Sequence, residues 1–284
     1  MKLFNVQVPA KWILAGEHAV LRGETAVALP HPDLRLELSH EPTDFNELLI
    51  TPAPANKVIS ELLGALEDDW QEKGVSFPRI TGRLKIESTI PIGAGLGSSA
   101  ALCVALTRWL TPILNLDPSG EREFATRLEH RFHGQSSGLD VAVIALNQPI
   151  RFSISKGAEP LEIEKLPQFT FHDTGQRSRT SDCVLRVQKF RSEQPASATR
   201  IDEAMGLASR KAIEGLLTQD PGLLAEAMKE AQECFYSWEL VSAGIRRMEL
   251  ELIKQGALGV KLTGAGGGGM LVALWPNLAP NIDT

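Results

Sequence analysis

Cysteine is scarce in this sequence and shows no functional spacing. Its three cysteines, Cys103, Cys183 and Cys234, are odd in number and lie far apart among 284 residues. They therefore form neither the short spacing of a metal site nor a framework of disulfide bonds. Such usage is typical of a reducing compartment, and we expect the protein in the cytoplasm.

Long apolar runs and basic runs are also missing. No stretch is long and apolar enough to span a bilayer, and the chain reaches Pro9 and Lys11 before it contains a signal-length apolar core. The formal net charge is −6 and no basic run is present, which argues against a nucleic-acid partner. An anionic small substrate is not excluded, because a local pocket can be positive on an acidic protein.

The composition is that of an ordinary globular protein. Apolar residues make up 43% and charged residues 23% of the sequence, and the length suits one large domain or two smaller ones. Neither an internal repeat nor a low-complexity tract is present. We place a domain boundary near residue 165, which divides the chain into residues 1–165 and 166–284.

Periodicity and turn residues predict a strand-rich first half, a helix-rich second half and a final glycine hairpin. Strands are expected over residues 3–8, 12–15, 34–39, 82–87, 149–154, 169–172, 258–262 and 270–275. Helices are expected over residues 58–73, 100–110, 119–132, 200–217 and 221–255, with Ser119 as a helix N-cap. Residues 40–56, which contain three prolines, are expected to form a loop.

A glycine-rich stretch over residues 91–101 lies between a predicted strand and a predicted helix. The first turn of a helix presents unpaired N–H groups and the positive end of the helix dipole. An anion has room to reach those groups around Leu96, because Gly93, Gly95 and Gly97 carry no side chains. The hydroxyls of Ser98 and Ser99 can in addition bond a phosphate or ligate a metal. We interpret residues 93–99 as a phosphate cradle.

Three alternatives to a phosphate cradle fit these glycines less well. A Walker A loop needs a Lys after its last glycine, and none follows here. Gly95, Gly97 and Ala100 fit a dinucleotide fingerprint, with Asp117 as its ribose acid, but the chain supplies no repeating βαβ context. The third alternative is an ordinary tight turn.

Two groups of polar residues could carry chemistry. Lys11 follows a Pro-Ala pair at a strand break, and it is either a solvated surface charge or a cation directed at a phosphate. Taken alone, Glu17 is typical of a solvated acid and His18 of a structural histidine. Asp140 precedes an apolar segment, downstream of Glu129. It is either a helix N-cap or a partly desolvated acid that needs a partner, and both interpretations remain open.

A second glycine-rich segment lies near the end of the chain. Five of the six residues 264–269 are glycine, and the segments on both sides are predicted apolar strands. A flexible surface loop would account for the glycines, but the apolar flanks favour a close approach of the backbone to a ligand or to another segment.

Together these residues resemble the GHMP kinases, the small-molecule kinases named for galactokinase, homoserine kinase, mevalonate kinase and phosphomevalonate kinase. The three motifs of the family are similar to residues 9–20, 91–101 and 261–269, in the family's order and at its spacing. Within the family, the Gly-Glu-His-Ala-Val sequence of residues 16–20 is most similar to the mevalonate kinases. Residues 233–247 depart from the pattern, because they lack the Gly-Val-Ser-His-Pro-like segment usual in that group.

The resemblance implies a two-domain α+β fold, with an N-terminal domain like ribosomal protein S5 domain 2, a ferredoxin-like C-terminal domain and the active site between them. It implies ATP- and Mg²⁺-dependent phosphorylation of mevalonate to 5-phosphomevalonate in isoprenoid precursor synthesis. The alternatives are phosphorylation of phosphomevalonate or of another mevalonate hydroxyl, and a catalytically inactive ligand-binding relative. The expected partner is the small-molecule substrate, and the chain could form a homodimer.

The resemblance also assigns roles to individual residues. The phosphate cradle (Gly93, Gly95, Leu96, Gly97, Ser98 and Ser99) would bind the nucleotide phosphates, and Ser99 with Glu129 would hold Mg²⁺. Asp140 would orient or deprotonate the attacking hydroxyl, and Lys11 would keep that carboxylate ionised. Glu17, His18 and Thr180 would contact the substrate.

Overall fold

Two β-sheets with helices packed on them make up the structure, a computed structural model that describes residues 3–43, 46–133 and 136–276. The strands are β1 (Phe4–Ala15), β2 (Ala26–Glu41), β3 (Leu48–Thr51), β4 (Gly82–Ser88), β5 (Ile150–Ser153), β6 (Gly157–Pro160), β7 (Gln168–Asp173), β8 (Gly259–Leu262) and β9 (Met270–Trp275). The helices are α1 (Ala53–Glu72), α2 (Ser98–Ile113), α3 (Glu121–His133), α4 (Leu139–Leu146), α5 (Thr180–Glu193), α6 (Pro195–Leu217), α7 (Pro221–Ser237) and α8 (Ala243–Lys254).

The long strand β2 organises the first sheet, which contains β1 to β6. Antiparallel β1 pairs with β2 over nearly its whole length, while β5 pairs with the start of β2 and β4 with its end. β3 adds to β4 in parallel, and β6 adds to β5. Where β2 pairs with β4, Leu36, Leu38 and His40 are buried in alternation with less buried residues, the period of a strand with one covered face.

The second sheet has the order β7-β9-β8 and is antiparallel throughout. All residues of β8 and β9 are buried, and α7 packs against β8. Trp12 of β1 packs edge-on against Phe169 and Phe171 of β7, with ring centroids 4.8 and 5.5 Å apart. These contacts join the first motif to the second sheet, in which β7 pairs with β9 of the last hairpin.

Several predicted boundaries were wrong for identifiable reasons. The two strands predicted over residues 3–8 and 12–15 are the single strand β1, because a shift of register between Pro9 and Lys11 accommodates the proline. The loop predicted over residues 40–56 contains β3 and the start of α1, where Pro54 stands in the first helical turn that tolerates proline. β6 lies between the strands predicted over residues 149–154 and 169–172, where no strand was predicted.

The helical predictions need similar corrections. The helix predicted over residues 221–255 is two helices, α7 and α8, and the buried Trp238 and Leu240 between them continue the apolar period through the connection. Ser119 does not cap α3; its N–H donates to Asp117 Oδ1 at 2.9 Å in a short 3-10 turn before that helix. α5 was not predicted at all.

The class of the fold agrees with the expected α+β arrangement. The first sheet ends at Pro160 and the second begins at Gln168, on either side of the predicted boundary near residue 165, which stays a prediction. No helix in the described ranges has the length and apolar character needed to cross a membrane.

Candidate active site

The phosphate cradle connects β4 to α2, as predicted, and places the first turn of α2 at a cleft. The N-cap of α2 is Gly97, which has no side chain to occupy the N–H groups of that turn. A Cβ on Gly97 would lie 2.8 Å from Lys11 Cγ, and a Cβ on Gly95 would lie 2.6 Å from the Thr263 carbonyl oxygen. Glycine is therefore required because Lys11 and the C-terminal hairpin approach the cradle backbone closely.

Lys11 and Asp140 form an ion pair beside the cradle. The distance from Lys11 Nζ to Asp140 Oδ2 is 2.9 Å, and the same ammonium donates to the Gly95 carbonyl oxygen at 3.1 Å. The lysine side chain is 3% exposed and the aspartate 28%, so the lysine is not a solvated surface charge. The N-cap of α4 is Gly138, which excludes the interpretation of Asp140 as the helix cap. Asp140 is the partnered, partly desolvated acid.

Glu129 is a buried carboxylate on α3 whose electrostatic surroundings disfavour its charge. Ser136 Oγ donates to Glu129 Oε2 at 2.6 Å. Burial, and then repulsion by the Asp140 carboxylate, raise the pKa of Glu129 to about 7. Two neighbouring carboxylates of this kind are the groups that a divalent cation neutralises.

The donor set fits Mg²⁺ only if the nucleotide contributes to it. In the described part of the chain no three His, Cys, Asp or Glu side chains cluster as a metal site. Mg²⁺ is commonly held by one or two carboxylates together with the phosphates of the substrate, and Glu129 and Ser99 both border the cleft. These residues therefore suit a metal that arrives with ATP.

Glu17 is bound by a lysine of the second sheet. Lys261 Nζ donates to Glu17 Oε1 at 2.6 Å, and the two side chains are 0% and 2% exposed. Burial raises the pKa of Glu17 and lowers that of Lys261, while the opposite charge of each partner counteracts these shifts. Glu17 still borders the cleft, so its predicted contact with the substrate remains a prediction.

His18 lies in the cleft as a neutral ring. Its Nε2 is 2.9 Å from the Ala265 carbonyl oxygen, which can only accept a hydrogen bond, so Nε2 carries the proton. Its ring packs edge-on against Trp238 at 5.1 Å, and burial lowers the pKa of His18 to about 4. Nδ1 is then available as an acceptor for a hydroxyl group of a substrate.

The N-terminus of α5 forms another wall of the cleft. Thr180 is the first residue of this helix, and together with Arg179 and Ser181 it borders the cleft. Arg179 is exposed and forms no ion pair within the described part of the chain. This wall thus adds a positive charge that has no ion-pair partner among the residues described.

The C-terminal glycine segment packs directly on the cradle, as its composition indicated. A Cβ on Gly264 would lie 2.7 Å from Gly95 Cα, and one on Gly269 would lie 2.5 Å from the Ala94 carbonyl oxygen. Thr263 Oγ1 donates to the Ile13 carbonyl oxygen at 3.1 Å and accepts from the Ile13 N–H at 2.8 Å. The segment therefore braces the cradle against β1.

The cleft has a volume of about 540 Å³. The structure brings every residue predicted for the site to the border of this cleft. These residues are Lys11, Glu17, His18, Gly93, Gly95, Leu96, Gly97, Ser98, Ser99, Glu129, Asp140 and Thr180. The side chain of Leu96 is buried, and its carbonyl oxygen accepts from the Lys11 N–H at 3.1 Å. Ile92 also borders the cleft, with an apolar side chain that is 85% exposed.

Comparison with known proteins identifies the family. Residues 57–148 match the family described as GHMP kinases N terminal domain, and residues 212–282 match GHMP kinases C terminal. The chain belongs to the GHMP kinases. This membership confirms the predicted two-domain α+β fold and makes the chain an ATP-using small-molecule kinase.

Individual GHMP kinases resemble this one over nearly its full length. The mevalonate kinase of Pyrococcus horikoshii is 32% identical over 100% of this chain and 92% of its own, and that of Thermococcus gammatolerans is 31% identical over 97% and 90%. The crystal structure of L. major mevalonate kinase in complex with R-mevalonate has a TM-score of 0.79 at 23% identity, over 98% of this chain and 88% of its own.

Local sequence assigned no role to Lys261, Thr263 or Arg179 in this GHMP kinase. Lys261 and Thr263 stand within and directly after a strand that is otherwise apolar or glycine, and such residues need buried partners. That signal was available, but the partners lie 244 and 250 residues earlier in the chain. Arg179 directly precedes Thr180, which the resemblance placed at the substrate, but no local pattern singled it out because α5 was not predicted.

Proposed function

We propose that the chain transfers the γ-phosphoryl group of ATP to the primary hydroxyl of mevalonate and forms 5-phosphomevalonate. The single observation that carries the chemistry is the ion pair of Lys11 and Asp140, which stands beside the phosphate cradle in the same cleft. The choice of mevalonate rests on the full-length similarity to mevalonate kinases.

The proposed reaction needs positioning and charge neutralisation more than covalent chemistry. The cradle and the first turn of α2 would hold the phosphates through backbone N–H groups. Glu129 and Ser99 would hold Mg²⁺, which neutralises phosphate charge when it is bound. The acceptor would lie between the cradle and the wall formed by His18 and Thr180.

Asp140 would accept the proton of the attacking hydroxyl or orient that hydroxyl toward the phosphate. The buried Lys11 ammonium lies 2.9 Å from Asp140 Oδ2 and compensates the charge of this partly desolvated carboxylate. Lys11 also adds positive charge next to the cradle, where negative charge is transferred. The pair would thus act on both reacting groups: Asp140 on the acceptor hydroxyl and Lys11 on the phosphates.

Similar folds do not by themselves select the acceptor. The S. pneumoniae phosphomevalonate kinase and the L. lactis galactokinase structures have TM-scores of 0.77 and 0.78 to this chain at 18% and 15% identity. The roles of the individual site residues, the requirement for Mg²⁺, a homodimeric assembly and a cytoplasmic location remain predictions.

The test is a reaction of the purified chain with ATP, Mg²⁺ and mevalonate, followed by ³¹P NMR of the product. The expected product carries the phosphate on the primary hydroxyl, and Asp140→Asn serves as the inactive control. Turnover of phosphomevalonate in place of mevalonate, or a phosphate on the tertiary hydroxyl, would contradict the proposal. ATP binding without turnover of any acceptor would indicate an inactive relative.

A further inference from the structure

A completely buried ammonium group lies behind the acceptor side of the cleft. Lys261 on β8 is 0% exposed, and its Nζ donates to Glu17 Oε1 at 2.6 Å, to the Ile13 carbonyl oxygen at 3.2 Å and to the Leu262 carbonyl oxygen. All three donors of the ammonium are therefore used. Lys261 itself does not border the cleft.

Two of these three bonds end on the segment from Ile13 to His18. Ile13 lies where the pairing of β1 with β2 shifts register, and Glu17 follows in the turn after β1. His18, the next residue, has φ of 59° and ψ of −50°, a positive-φ conformation that the surrounding contacts must maintain. The conformation of this turn sets the direction of the His18 ring.

The same ammonium is connected to His18 from the other side. Lys261 Nζ lies 5.3 Å from the centroid of the Phe235 ring, and Phe235 packs edge-on against His18 at 6.3 Å. His18 Nε2 also bonds the Ala265 carbonyl oxygen, which follows Lys261 in the same hairpin. The contacts thus run without a break from Lys261 through Phe235 to His18.

We infer that Lys261 is a positioning residue for the acceptor: through Glu17 it fixes the turn that presents His18 to the substrate. The inference rests on the proposed function for the identity of the acceptor. Lys261 does not border the cleft, so it acts through Glu17 and the turn and not by direct contact with a ligand.

A purely stabilising role accounts for the pair less well. Replacement of a buried ion pair by apolar residues is often neutral or stabilising, whereas removal of one partner is destabilising. Glu17 Oε2 is buried without a hydrogen-bond partner in the described part of the chain, so the pair is not optimised for stability. One of its members nevertheless borders the cleft, immediately before His18.

The test separates stability from acceptor binding with three variants, Lys261→Met, Glu17→Gln and the double variant. In the double variant no buried charge is left without a partner, so its melting temperature should recover relative to Lys261→Met. Its KM for mevalonate should stay raised by about tenfold, because the turn is no longer fixed. Its KM for ATP should stay within about twofold of wild type. Since Lys261 acts through Glu17, the two substitutions should be non-additive in the acceptor KM.

Thr263→Val is the matched control, because it removes the other side-chain bonds from the hairpin to Ile13 and leaves Glu17 untouched. It should lower the melting temperature and leave the acceptor KM within about twofold of wild type. In the double variant, but not in the control, the ¹H–¹⁵N resonances of the His18 ring should shift. This readout does not depend on turnover.

Three results would overturn the inference. The first is a double variant whose acceptor KM returns to the wild-type value together with its stability. The second is an equal rise in the KM for ATP and for acceptor, and the third is an equal rise in acceptor KM in Thr263→Val. If the wild type does not phosphorylate mevalonate, the proposed function fails, and the same comparison is made with the acceptor that it does phosphorylate.

Discussion

Asp140 is the residue whose charge the proposed chemistry needs most. Asp140→Asn retains an oxygen that can accept from Lys11, so the cradle should keep its shape and its affinity for nucleotide. The variant loses the proton acceptor, and kcat should fall by about 10²-fold or more. Steady-state kinetics and nucleotide titration measure the two effects.

The control for Asp140→Asn is Asp117→Asn, an amide substitution at an exposed carboxylate that caps a 3-10 turn. It should leave kcat unchanged, because Asn caps about as well as Asp. A kcat of Asp140→Asn within a few-fold of wild type would remove Asp140 from the chemistry.

His18 should behave as a neutral hydrogen-bonding group throughout the physiological pH range. Burial lowers its pKa from 6.5 to about 4, so the ring is not protonated at neutral pH. Between these values the unfolded chain binds a proton that the folded chain does not, and this residue's contribution to the unfolding free energy falls as the pH falls from about 6.5 to 4. An NMR titration of the ring, assigned with His18→Leu, should show a midpoint near pH 4.

His18→Leu also tests the place of the ring in the site. The variant should raise the KM for acceptor more than the KM for ATP, since leucine cannot hydrogen-bond a hydroxyl. A ring that titrates at its ordinary pKa of 6.5, or an effect confined to ATP, would contradict this placement.

At the scale of secondary-structure elements, the contact between the cradle and the C-terminal hairpin predicts that a side chain at Gly95 is destabilising. Gly95 has φ of 79°, and an added Cβ would lie 2.6 Å from the Thr263 carbonyl oxygen. Gly95→Ala should therefore lower the unfolding free energy by more than about 2 kcal/mol, as the sum of left-handed strain and steric overlap. Nucleotide affinity should fall with it.

Gly74→Ala is the control for backbone conformation alone. Gly74 has a similar φ of 70°, and an added Cβ would meet nothing within 4 Å. Only the strain of about 1–2 kcal/mol is expected there, with normal nucleotide affinity. Equal losses of stability in the two variants, measured by denaturant unfolding, would show that the hairpin does not press on the cradle.

The N-terminus of α5 should contribute to recognition of a negatively charged acceptor. Arg179 borders the cleft with no ion-pair partner among the residues described, and mevalonate carries a carboxylate. Arg179→Gln should raise the KM for mevalonate by about tenfold, in keeping with the loss of a charged hydrogen bond, and should not change the KM for ATP.

Arg177→Gln is the neighbouring control. Arg177 is already bound by Asp173 at 2.6 Å and does not border the cleft, so its replacement should leave the KM for mevalonate unchanged. An uncharged triol analogue of mevalonate should bind wild type and Arg179→Gln equally. If Arg179→Gln weakens the binding of mevalonate and of the triol equally, Arg179 does not recognise the carboxylate.

The elements show what local sequence could and could not predict. The cradle was predictable because its glycines, its strand and its apolar helix are adjacent in the chain, and the structure places Gly97 as the N-cap of α2. α5 was not predictable from periodicity, because only Cys183 and Val187 of its 14 residues are buried. The same reasoning could not separate α7 from α8, since the buried Trp238 continues their apolar period.

At the scale of the whole molecule, the limit is set by contacts between distant parts of the chain. Local sequence left Asp140 as either a helix cap or an acid that needs a partner, and it could not identify Lys11, 129 residues earlier in the numbering, as that partner. The apolar strand around Lys261 indicated that it needs a buried partner, but only the fold identifies that partner as Glu17. The resemblance to the GHMP kinases supplied the relation of Lys11 to Asp140, because it assigns both residues to one active site.

Because the cleft draws on both sheets, nucleotide binding should stabilise both together. Saturation with a non-hydrolysable ATP analogue and Mg²⁺, at about 100 times its Kd, should raise the unfolding free energy by about 2.7 kcal/mol. Amide hydrogen exchange should then slow in the first turn of α2 and also in the segment from Gly264 to Gly269, which contacts Gly95 without being adjacent to it in sequence. In Gly95→Ala the protection of the second segment should be lost first. Protection confined to the cradle of the wild-type protein would mean that the hairpin only covers the site and does not brace it.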